Sequence, residues 1–239
     1  MSRPHRVPNL LSAALLAALA LPAAAYEVVT VSDGGTIRGK VVYNGSVPTR
    51  KIIPTKDRAT CGGTRDEPEV VVGPDKGVQD AIVYLKDVQK GKAFQKPAKP
   101  PEIVNKDCVF VPRVQALPVG TIVIVNSDPV MHNTHGFHGK ATVFNVALPM
   151  KGQRLERPLK KPGITRVECD AHGWMLAWIY VADNPYYAVT QKDGTFSIPD
   201  VPPGSYTLVA WHAYTGETEI PVTVKPKDTA QTPIELKKK

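Results

Sequence analysis

Residues 121–148 read TIVIVNSDPVMHNTHGFHGKATVFNVAL. The opening Thr121–Asn126 and closing Ala141–Leu148 pieces alternate in side-chain character, with β-branched residues frequent, as half-buried strands do. Between them lies a polar stretch that brings His132, His135 and His138 at three-residue intervals; following a strand and opening on Asn-Ser-Asp-Pro, it reads as a loop. The same two-residue period recurs outward along the chain, at 36–43, 79–85, 164–169 and 177–181. Asp33-Gly34-Gly35, Asn44-Gly45 and the proline-dense Lys96–Pro101 stretch mark turns and loops between them. No segment holds a helical period for long. Strands this short need a second sheet to cover their apolar faces, so the pattern predicts an all-β chain built as a β-sandwich.

Composition agrees. The 239 residues contain 23 Pro and 18 Gly, with 42% hydrophobic and 22% charged residues, which excludes a disordered chain, a collagen-like repeat and a coiled coil. The formal charge of +8 serves solubility or attraction to acidic partners. Nucleic acid is not an expected partner, because no basic cluster is interleaved with aromatics. Residues 1–25 carry Arg3 and Arg6, an apolar run over 10–21 and then Ala23-Ala24-Ala25, the pattern of a secretory signal cleaved near Ala25. That run is too short for a comfortable membrane span, and no other segment approaches one. The expectation is an exported protein in an oxidising compartment, the periplasm.

A composition shift at Asp183-Asn184-Pro185 suggests a boundary, giving domains over 26–183 and 184–239. Beyond it, DGTFSIPDVPPGSYTLVAWH (193–212) resembles the carboxypeptidase regulatory-like, transthyretin-like family, which implies a second, smaller β-sandwich. Such modules serve as structural or binding appendages more often than as catalysts.

The chemistry concentrates in Glu168–Met175, ECDAHGWM, where Cys169, His172 and Met175 stand at C-x2-H-x2-M. A thiolate, an imidazole and a thioether within one loop are soft ligands, and His132 from the other segment supplies a second nitrogen if the parent strands are neighbours. His2Cys with a weak Met is the donor set of an electron-transfer copper site. Residues 119–181 resemble the cupredoxins, the type 1 blue-copper family of plastocyanin and amicyanin, and the short loop resembles the amicyanin variant. The resemblance implies a Greek-key cupredoxin-like sandwich binding one copper per chain through His132, Cys169, His172 and Met175. It makes Asn133 the residue that bonds across to the loop after the cysteine, and it places a partly exposed His172 in an apolar rim where electrons pass to a redox partner protein. The domain order also resembles exported bacterial proteins labelled methylamine utilisation proteins.

Three cysteines in an oxidising compartment suit this assignment if Cys61 and Cys108 pair and leave Cys169 as the ligand; the alternative is a buried Cys169 with one of the others free. His135 and His138 are either accessory metal ligands or solvated loop histidines. Trp174 and Trp178 read as sandwich or rim packing, and His212 as structural. Met175 has no role in a Cys-His hydrolase, structural zinc avoids thioether, and no His-x-His motif for a multicopper oxidase is present, so an enzyme is not expected. Two other functions use the same sequence: copper storage or delivery, and a carbohydrate- or cell-surface-binding module carried by the C-terminal part.

Overall fold

A computed structural model describes residues 26–238; the expected signal segment at 1–25 lies outside the described residues. Among the described residues the chain is all-β apart from a four-residue helix, Arg58–Cys61, and one 3-10 turn, Pro74–Lys76. Among the described residues no helix is long and apolar enough to cross a membrane.

Two sheets enclose one core. A five-stranded sheet runs in the order Ala141–Leu148, His132–His138, Gly163–Glu168, Leu176–Ala182, Val114–Pro118, with only the last pair parallel. It faces a four-stranded sheet in the order Arg154–Leu159, Gly120–Asn126, Glu102–Lys106, Val109–Val111. The inward residues Ile103, Ile122, Ile124, Leu148, Val167 and Ile179 are fully buried and close the space between them. Burial of such a side chain contributes about 1.5–3 kcal/mol.

A second pair of sheets uses both ends of the chain. Tyr187–Val189, Ile82–Lys86, Gly204–His212 and Gly216–Val224 form one; Thr195–Val201, Gly35–Tyr43 and Thr229–Gln231 form the other, with Ile234–Leu236 also pairing Gly35–Tyr43. Their common core includes Ile37, Val41, Val83, Leu85, Ile198, Leu208 and Ile234. The boundary expected at Asp183 therefore does not follow the sheets. Gly35–Tyr43 and Ile82–Lys86, assigned above to the first domain, pair with strands from beyond residue 184. Alternation marks a strand but carries no label for its partner, and the pairing is decided by burial across some 190 residues of sequence separation, as between Val41 and Ile234.

The TFSIPDV and SYTLVAWH pieces are strands, Thr195–Val201 and Gly204–His212, joined across Pro202-Pro203. Tyr206 Oη donates to the Pro202 carbonyl at 2.8 Å and pins that turn. The two tryptophan-bearing strands Leu176–Ala182 and Gly204–His212 meet where Trp178 and Trp211 pack edge to face, 5.1 Å between centroids, so Trp178 is packing at the junction of the two cores.

His212 is buried beside this junction, its Nδ1 accepting the Tyr214 N–H. Burial, helped by the nearby Arg113 charge, pushes its pKa down to about 4. The unfolded chain takes up that proton near the ordinary histidine value of about 6.5, so stability falls as pH drops from about 6.5 to about 4, by up to about 3 kcal/mol. Denaturation of the wild type and His212→Gln across this range checks it: the variant should show the shallower slope.

Candidate metal centre

His132 opens the strand His132–His138, and Cys169 follows directly on its neighbour Gly163–Glu168, whose Glu168 pairs with His135. The polar stretch after Asn126 is thus part loop and part strand, against the all-loop expectation. His132, Thr134 and Gly136 face inward. Polar and glycine residues at inward positions hide the alternation from a hydropathy reading. Gly136 is needed there, since a Cβ would meet the Phe144 ring at 2.6 Å.

From Cys169 the chain makes two turns, His172 N–H to the Cys169 carbonyl at 3.2 Å and Met175 N–H to the His172 carbonyl at 2.9 Å, before re-entering the sheet at Leu176. These turns fold His172 back against His132. The two Nδ1 atoms lie 3.1 Å apart, and Cys169 Sγ stands 3.6 Å from that of His172 and 3.9 Å from that of His132. Met175 is buried in the hydrophobic core that also contains Cys169. The thiol is capped by the Asn133 N–H at 3.4 Å, and the Asn133 side-chain carbonyl accepts the Asp170 N–H at 3.3 Å. Asn133 therefore bridges the two segments.

Each imidazole is held from behind. His132 Nε2 meets Asp128 Oδ2 at 2.8 Å, and His172 Nε2 meets Asp57 Oδ2 at 2.9 Å. A ring nitrogen facing a carboxylate carries the proton, which leaves Nδ1 of both rings as lone pairs. Two ring nitrogens and a sulfur, all buried and converging at this distance, are reconciled either by the thiol proton or by a bound cation. The donor set suits a soft or borderline metal rather than calcium or magnesium. Burial lowers the His132 pKa, which keeps the ring neutral and available as a ligand. Burial pushes the Cys169 thiol up against the opposing pull of the backbone N–H groups of Asn133, His172 and Ala171, so metal uptake releases a proton.

Asp128 does more than hold His132. Its two oxygens also accept the backbone N–H groups of Asp107 (2.7 Å) and Cys108 (2.9 Å), at the tip of the hairpin between Glu102–Lys106 and Val109–Val111. Cys108 is disulfide-bonded to Cys61, and Cys169 is the free cysteine. Neither carboxylate was singled out by the sequence. Asp128 carries a local signal, four residues before His132 in NSDPVMHN; Asp57 lies 115 residues from His172 and carries none.

Two expectations need correction. His172 is not a partly exposed rim residue: it is fully buried, covered by the segment that contains Asp57 and Cys61, and Trp174 packs on its ring at 5.1 Å. His135 and His138 are strand residues rather than loop residues. His135 points to the face opposite His132, held by Asp170 at 3.2 Å and Thr142 at 2.9 Å. His138 lies six residues along the strand from His132, about 20 Å at the usual rise, beside Gly163.

The fold and this site define the class, an all-β sandwich with a buried His2Cys cluster. Among solved structures the chain is similar to a Cu-containing nitrite reductase from Thermus scotoductus SA-01, at 26% identity over 38% of this chain and 24% of that one, TM-score 0.32. It is similar to amicyanin from Paracoccus versutus, at 17% identity over 37% of this chain and 86% of that one, TM-score 0.33. It is also similar to a purple cupredoxin from Nitrosopumilus maritimus, at 24% identity over 34% of this chain and 99% of that one, TM-score 0.31. The chain thus spans about a quarter of the nitrite reductase and most of the two smaller proteins. Residues 165–232 match the family model of polysaccharide lyase family 4, domain II, a range that begins in the sandwich with the His2Cys cluster and ends in the other. No curated protein matches the chain.

Proposed function

We infer that this chain is an exported type 1 copper protein of the periplasm that carries single electrons and catalyses no reaction of its own. The observation that supports it best is the pair of carboxylate-backed imidazoles whose buried Nδ1 atoms converge with the Cys169 sulfur. His132, Cys169 and His172 hold the ion, with Met175 as the weak fourth donor. A copper ion bound there supplies reversible one-electron chemistry. The protein's part is to keep the ligands fixed, through Asp128 on one ring, Asp57 on the other, and Asn133 between the two segments.

Storage or delivery asks for ready exchange with solvent. The buried ligands and the pinned positions of His135 and His138 weigh against it. The optical and paramagnetic resonance spectra of the copper-loaded protein test the reading: an intense thiolate-to-copper band with a single copper per chain supports it, and a weak band sinks it. Met175→Leu should keep the band and raise the reduction potential, because losing a weak donor favours Cu(I); voltammetry of both proteins checks the direction.

A further inference from the structure

We propose that Asp57 is a positioning residue for His172, and that the segment carrying it is a strap locked over the metal centre by the Cys61–Cys108 disulfide, so that the ion exchanges only when the strap lifts. The proposal rests on the copper reading above and adds how the centre is closed.

The strap is the connection between Thr49–Ile52 and Arg65–Pro68, two strands paired with each other. Within residues 53–64 only Pro54 and Cys61 are buried. So little apolar burial gives the connection almost no hold of its own. What holds it is covalent: Cys61 is bonded to Cys108, and both sulfurs lie in one cluster with a ring nitrogen of His172, within 4.8 Å of one another. The hairpin tip bearing Cys108 is itself fixed by Asp128, which also holds His132, and the Trp174 indole N–H donates to the Cys108 carbonyl at 3.2 Å. One disulfide therefore joins the carboxylates behind both histidines, because Cys61 N–H bonds the Asp57 carbonyl at 2.8 Å.

Asp57 itself is built for this contact. It has left-handed backbone angles, φ 52 and ψ 33, an uncommon state for a residue with a side chain. It stands at the N-cap of Arg58–Cys61, yet its side chain makes no capping bond. A cap contributes about 1 kcal/mol to a helix. That carboxylate is turned to His172 Nε2 instead, at 2.9 Å. With this contact in place His172 has no exposed surface, while the Asp57 side chain on its outer side is 36% exposed.

The test uses the full chain in two states. In the copper-free protein, diethyl pyrocarbonate at fixed pH should leave His172 unmodified in wild type and modify it at least about tenfold faster in Asp57→Ala and in the double variant Cys61→Ser/Cys108→Ser, read by peptide mass spectrometry. Long-range proton–nitrogen spectra should place the His172 proton on Nε2 in wild type and show a tautomer mixture in Asp57→Ala, a change that a purely structural role would not produce. In the copper-loaded protein, transfer to a chelator should accelerate about 10–100-fold in either variant, the usual scale for losing the partner behind a metal-bound histidine. Asp57→Ala keeps the disulfide and decides the matter if the double variant does not fold. Wild-type modification and release rates in a folded Asp57→Ala protein would overturn the proposal. Should wild type bind no copper, the copper reading fails, while His172 modification still judges the strap.

Discussion

Cys169→Ser is expected to abolish the intense visible band of the copper-loaded protein and to weaken copper binding by more than about a hundredfold. Losing a residue behind a ligand costs about 10–100-fold, and losing the ligand itself exceeds that. The band requires a thiolate on the metal, and no other cysteine can supply one: Cys61 and Cys108 are joined to each other. The hydroxyl of serine is harder, shorter and far less acidic, so His132 and His172 would be left as the strong donors. Absorbance and competitive copper titration of the two proteins measure both effects. A serine variant that keeps its band refutes the ligand assignment.

Asp128→Ala should lower the stability of the copper-free protein by about 4 kcal/mol. Asp128 is 3% exposed and its two oxygens serve three donors, the N–H groups of Asp107 and Cys108 and the His132 ring. Each buried donor left without a partner costs about 1–3 kcal/mol. The same substitution frees the His132 tautomer, so copper affinity should fall with stability. Chemical denaturation without copper, followed by titration of the folded fraction, separates the two. A stability loss under about 1 kcal/mol would mean that water replaces the carboxylate and that Asp128 is not the keystone of the hairpin tip.

Several strands were legible from their alternation, whereas Glu102–Lys106, Val109–Val111, Val114–Pro118 and Arg154–Leu159 were not. Ala141–Leu148 is found as expected, and Gly120–Asn126, Gly163–Glu168 and Leu176–Ala182 differ by a residue or two at their ends. His132–His138 escaped because its inward face is imidazole, hydroxyl and hydrogen. The cluster of His132, Cys169 and His172 was legible because soft donors at short spacing are chemically distinctive even without a fold. What surrounds it was not. Asp57 is one exposed-looking acid among 22 Asp and Glu residues, and only the strap's path brings it to His172. The partner of Gly35–Tyr43 was equally hidden, since any half-buried strand offers the same hydrogen bonds to any edge.

That last pairing sets an order of assembly. The sandwich that carries the His132–Cys169–His172 cluster contains all its strands between Glu102 and Ala182, so it can close as soon as that stretch of chain has been delivered. The other sandwich cannot: Gly35–Tyr43 must wait for Thr195–Val201 on one edge and for Thr229–Gln231 and Ile234–Leu236 on the other. An emerging chain thus holds its first long strand unpaired, an edge open to wrong partners, while the 102–182 sandwich folds behind it. Stopping the chain at residue 183 would leave Gly35–Tyr43 and Ile82–Lys86 permanently in that state, and an aggregate rather than a separate copper protein is the expected product.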